Sequence, residues 1–131
     1  MSVLVPAWNE LTRIGPCLES LLAIPWPRLE IHVCAGGDDG TFAAAARFAE
    51  RGVDVIDQRP GQGKQSALRE MFRRATGNVI YLTDADCTVP APVFRSVLAP
   101  ILDGRAEATT GRYRPFDADL ANPLVLYRWG I

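Results

Sequence analysis

Apolar residues in this chain fall in short runs separated by longer stretches with helical spacing. Four runs, SVLVP (2–6), LEIHVCA (29–35), VDVID (53–57) and NVIYLTD (78–84), are rich in Val and Ile. Short continuous apolar runs of this kind, mostly bounded by turn formers, predict strands buried on both faces. The first predicted helix runs from about Thr12 to Ala23. Thr12 is its candidate N-cap, Pro16 falls near its first turn, and Leu18, Leu21 and Leu22 share a face. A second runs from about Thr41 to Glu50, through four consecutive alanines, with Gly52 just past its end. A third runs from about Lys64 to Ala75, with Ala67, Leu68, Met71 and Phe72 as its apolar stripe and Gly77 closing it. A fourth covers 91–102, with Pro100 inside it. After Arg112 the pattern fades into a loop and a possible helix start.

Strand and helix alternate, which predicts a mostly parallel, doubly wound sheet with helices on both faces. Ligands of such sheets bind outside the carboxyl ends of the strands, where strand order reverses. Asp84 and Asp86 stand at such an end, followed by Pro90 and Pro92, which stop the strand.

Composition narrows the function classes. At 131 residues, one domain spanning 1–131 is expected. A formal net charge of −1 argues against nucleic-acid binding through bulk positive charge. The apolar runs are far shorter than the ~20 residues that span a bilayer, and the N-terminus does not read as a signal peptide. Three widely spaced cysteines, Cys17, Cys34 and Cys87, form no CxxC pair. They suggest small apolar residues in a reducing compartment, not a disulfide framework or zinc site.

Four stretches carry candidate chemistry. Asp84-Ala85-Asp86 places two carboxylates two residues apart. They repel when ionised together, and a hard divalent cation, Mg2+ or Mn2+, relieves this with help from substrate phosphates. Two solvated acids in a turn is the alternative. RPGQGKQSALR (59–69) sets Gly61, Gly63 and Lys64 before a helix N-terminus, a favourable place for a diphosphate. It is not a P-loop, because Gln58 and Gln65 occupy the glycine and hydroxyl positions. VPAWNE (5–10) brings Trp8 and Glu10 to the end of the first strand, where Trp8 either stacks on a ligand or packs in the core. AGGDDGT (35–41) combines Gly36 and Gly37, which permit unusual backbone angles or close approach, with Asp38 and Asp39. Those two acids either face a ligand or favour the helix that follows. His32 and Cys87 receive no catalytic role, and no Ser/His/Asp set can be assembled.

Together, VLVPAWNE, CLESLL, DGT, GQGKQSALR and GNVIYLTDADC, in this order over about residues 2–115, resemble a family 2 glycosyltransferase of the GT-A (Rossmann-like) fold. The resemblance implies the donor-binding half of a domain truncated at its C-terminal side. Its partners would be a UDP- or GDP-sugar and a saccharide or lipid acceptor. Asp86 would bind the metal, Mg2+ or Mn2+, and Asp84 the ribose or sugar. Pro6, Ala7, Trp8, Glu10, Lys64 and Ala85 would line the nucleotide-sugar site. Transfer would invert the anomeric carbon, and the general base would lie beyond Ile131. The family's Asp pair after the second strand falls on Cys34 and Ala35 here, with Asp38 or Asp39 as substitutes. Asp117, Asp119 and YRW (127–129) receive no role. A cytoplasmic protein is expected, with the inner membrane face an open alternative and membrane association only through residues outside this chain. Two other readings stay open. One is a nucleotide-sugar-binding fragment without activity. The other is a haloacid-dehalogenase-type phosphatase, because DADCT fits DxDx[TV].

Overall fold

A computed structural model describes residues 1–111. Asp117, Asp119, YRW and the segment after Arg112 lie outside the described residues. The described residues divide into two compact units, Met1–Arg95 and those from Ser96 to 111.

The first unit holds the sheet. Its strands are β1 (Ser2–Trp8), β2 (Glu30–Gly36), β3 (Val53–Asp57) and β4 (Ile80–Leu82). All pairings are parallel, in the order β3-β2-β1-β4. The helices are α1 (Leu11–Leu22), α2 (Thr41–Ala46), α3 (Gly63–Arg74) and α4 (Ala91–Leu102), with a 3-10 turn at Ala49–Arg51. The path β1-α1-β2-α2-β3 moves one way across the sheet, and β3-α3-β4 returns past β1. Right-handed crossovers then put α1 and α2 on one face and α3 on the other. The expected α/β class, with helices on both faces, is what forms. Strand order reverses between β1 and β4, so the crevice opens there.

Burial follows from this layering. Leu4, Cys34 and Ile56 face α3 and pack with its Ala67 and Met71. Val3, Val5, Ala7 and Val33, one residue out of phase, are buried on the opposite face. Phe94 is fully buried and packs edge-on to Trp26 and tilted against Tyr81.

Several boundaries differ from the sequence pattern. β4 is three residues long rather than seven and lies at the sheet's edge, with Leu82 61% exposed. Phe72 is exposed, because α3 turns only Ala67 and Met71 fully inward. Helix α2 stops at Ala46, and the 3-10 turn follows it. Helix α1 starts at Leu11 behind Glu10, so Thr12 is inside it and Pro16 lies mid-helix. Gly77 does not cap α3, which ends at Arg74 with Ala75 as its C-cap. A Cβ at Gly77 would lie 2.5–2.7 Å from the Met1 backbone, so glycine is needed for close packing.

At the amino ends of the strands, Glu30 ties three elements together. It accepts from Ser2 Oγ (2.6 Å), the Thr76 amide (3.0 Å) and the Thr76 hydroxyl. These hydrogen bonds, Ser2 first, pull its carboxyl down to about 2. His32, nearly buried, bridges Glu30 and Asp54 at 3.4 and 2.9 Å. It is structural, on the side of the sheet away from the crevice.

In the second unit, Thr109 Oγ1 donates to the Val97 carbonyl at 2.7 Å. The Arg105 and Ala106 amides both bond the Pro100 carbonyl, closing the end of α4.

Candidate active site at the carboxyl ends of the strands

Four loops meet where the strands end. The β1 and β2 loops are locked to each other. The Asn9 amide donates to the Gly36 carbonyl (3.1 Å), and the Asp38 amide donates to Asn9 Oδ1 (3.0 Å). Asp39 caps two helices. It accepts from the Leu11 amide (3.0 Å) at the start of α1 and from the Thr41 amide (2.9 Å) and hydroxyl (2.6 Å) at the start of α2. These bonds, led by the Thr41 hydroxyl, hold its carboxyl below the ordinary range. Thr41 Oγ1, fully buried, also accepts from the Glu10 amide at 2.7 Å, which fixes where Glu10 leaves β1.

Gly36 is there for close approach. A Cβ at that position would meet the Gln58 carbonyl at 2.3 Å and the Trp8 ring at 2.8 Å. Without it, Gln58 follows β3 in register, its amide bonded to the Ala35 carbonyl at 2.8 Å, and the Trp8 indole lies over the β2 end.

A cavity of about 590 Å³ opens between these loops. Eight of the ten sequence-predicted site residues line it: Pro6, Ala7, Trp8, Glu10, Lys64, Asp84, Ala85 and Asp86. Asp38 and Asp39 are outside its lining, with Asp39 engaged in capping. Gln58, Gly61 and Gly63 also line it. The sequence marks the glycines as a loop before a helix, but carries no signal for Gln58 beyond its misfit to the P-loop pattern.

The cavity's charges are unbalanced. Lys64 Nζ pairs with Asp84 Oδ1 at 2.5 Å, both side chains more than half exposed. Such an exposed pair contributes little and is free to rearrange. Asp86 pairs with no cation among the described residues; its Oδ1 faces the Cys87 thiol at 3.5 Å. Glu10 has its carboxyl pushed up, first by burial, then by the charge of Asp86, with Asp39 and Asp84 adding to it against Arg13. Three carboxylates and one lysine line one space, so acids outnumber bases in the lining. No three or more His, Cys, Asp or Glu groups converge as a complete metal cage among the described residues. Two exposed carboxylate donors do fit Mg2+ or Mn2+, which usually take one or two carboxylates and complete their shell with phosphate and water.

Both thiols behind Asp84 are inert. Burial, then the neighbouring Cys87, pushes Cys17 up to about 12, and burial with Asp86 raises Cys87. Both stay protonated near neutral pH, as fits packing rather than nucleophilic attack.

The sequence model of the family described as "Glycosyl transferase family 2" matches residues 2–128. The chain belongs to this family. The haloacid-dehalogenase reading of DADCT falls with that match. Among similar proteins is the "Probable glycosyltransferase YdaM" of Bacillus subtilis (strain 168), 31% identical over 127 residues. That alignment covers 90% of this chain and 30% of YdaM. Among solved structures, the mannosyltransferase PcManGT from Pyrobaculum calidifontis, in complex with GDP-Man and Mn2+, is 33% identical with a TM-score of 0.67. The match covers 81% of this chain and 32% of PcManGT. S. aureus TarS shares the fold at TM-score 0.69 and 20% identity, over 88% of this chain and 23% of TarS. This family 2 chain thus spans about a third or less of the length of these relatives. Among its described residues, no helix is long and apolar enough to cross a membrane.

Proposed function

We propose that this chain forms the donor site of a metal-dependent, inverting glycosyltransferase that takes its sugar from a UDP- or GDP-sugar. The observation that carries this reading is the charge imbalance of the cavity. A space lined by Glu10, Asp84, Asp86 and one lysine repels a bare diphosphate and accepts one that arrives with a divalent cation. The complex of PcManGT with GDP-Man and Mn2+ supports the same pairing of nucleotide sugar and metal.

Each residue then has a part. Asp86 is the carboxylate available to hold the ion, and Asp84 meets a ribose or sugar hydroxyl. Lys64 and the first amides of α3, reached past Gly61 and Gly63, face the diphosphate oxygens. Pro6, Ala7 and Trp8 bound the nucleoside. Bound Mg2+ or Mn2+ supplies positive charge to the departing diphosphate. An acceptor hydroxyl of a saccharide or lipid attacks the anomeric carbon opposite that leaving group, forming the new glycosidic bond as the old C–O bond breaks and giving up its proton to a base outside the cavity's residues. We assign no general base among the cavity's residues.

Calorimetric titration of UDP and GDP, with and without Mn2+, tests this beside Asp86→Ala. Binding is expected to need Mn2+ and to weaken at least about tenfold in the variant, a loss of about 1.4 kcal/mol. Equal binding by a folded Asp86→Ala protein would contradict it.

A further inference from the structure

We propose that Gln58 is the residue that reads the nucleobase, its carboxamide bonding the ring's edge beside the Trp8 indole. This rests on the nucleotide-sugar reading above. Gln58 is 5% exposed and lines the cavity. Its Oε1 is buried and has no hydrogen-bond partner among the described residues. Buried polar atoms are nearly always paired, so an unpaired one on a residue that lines a cavity asks for a ligand. Its backbone is held by the ladder bond to Ala35 and packed where Gly36 has no side chain. Its terminal torsion is soft, so it can present either the oxygen or the NH2 to the cavity.

Place decides which part of the ligand it meets. Gln58 follows β3 and Asp84 follows β4, at opposite ends of the strand order and three strand spacings apart, roughly 14 Å. The carboxylates and Lys64 form the charged end of the cavity, and Trp8 with Gln58 forms a neutral end with an aromatic ring. A carboxamide offers one acceptor and two donors in a plane. It complements a heterocycle that presents an N–H beside a C=O, as uracil and guanine do.

The test uses the intact protein and two probes with Mn2+: UDP or GDP, and inorganic pyrophosphate, which lacks a base. Gln58→Met keeps the volume and removes the hydrogen bonds. It should bind UDP and GDP about tenfold more weakly and pyrophosphate as the wild type does. If it does not fold, Gln58→Asn withdraws the amide by one carbon and should show the same split. Equal losses for all probes in a folded variant, or no loss for any, overturn the assignment. So does a wild-type protein that binds pyrophosphate but gains nothing from the base. A wild type that binds neither probe overturns the donor-site reading itself, and this assignment with it.

Discussion

Thr41 and Asp39 show how little the identity of a side chain says about its task. Asp39 and Asp86 are the same residue type in similar acidic stretches. Asp39 spends its oxygens on Leu11 and Thr41, whereas Asp86 pairs with no cation among the described residues and faces the cavity. Thr41 is fully buried, and its Oγ1 takes the Glu10 amide while donating to Asp39. Thr41→Val keeps the shape and leaves that amide unpaired, so we expect a loss of about 1–3 kcal/mol in denaturant unfolding. A change within about 0.5 kcal/mol, the ordinary range for surface substitutions, would show that Glu10 is positioned otherwise. At this scale the sequence placed Asp84, Asp86 and Lys64 at the cavity, because both stretches stand at the carboxyl end of the sheet. Gln58 was not legible, because a neutral polar residue gains meaning only when its burial and missing partner are known.

Element by element, the apolar pattern located each described strand and helix; it set β3 and α4 at their observed bounds and misjudged the ends of β4, α1 and α2. Helix α1 begins earlier than its own residues suggest because its cap, Asp39, comes from the loop after β2. Among the described residues, β4 pairs with β1 alone, and the apolar residues of 78–84 do not lengthen it as an edge. The packing between elements is tied by Glu30, which pins the start of β1 and the α3–β4 connection to β2. Its carboxyl lies near 2, below the ordinary 4.5. A depressed carboxyl contributes stability that is full above its unfolded value and lost as pH falls through its folded value. The melting temperature should therefore drop between about pH 5 and pH 2, and drop less steeply in Glu30→Gln. Parallel pH profiles for the two proteins would show that another group governs acid sensitivity.

For the whole molecule, the reversal of strand order between β1 and β4 brings separate stretches of sequence to one cavity. The parallel sheet and the end at which its cavity opens follow from alternation of strand and helix, which is why the fold and the place of the cavity are legible in the sequence. Which loops lock to each other was not, since the Asn9–Asp38 and Glu10–Thr41 bonds join residues about thirty positions apart. The central claim is that the cavity's excess negative charge binds a divalent cation and a nucleoside diphosphate together. Electron paramagnetic resonance of Mn2+ reads this directly, because the sharp spectrum of free Mn2+ broadens and fades when the ion is held on protein. We expect UDP or GDP with the protein to reduce the free-ion signal beyond what nucleotide alone produces, and Asp86→Asn to abolish that difference. A folded Asp86→Asn protein that removes the signal as well as the wild type would contradict the account.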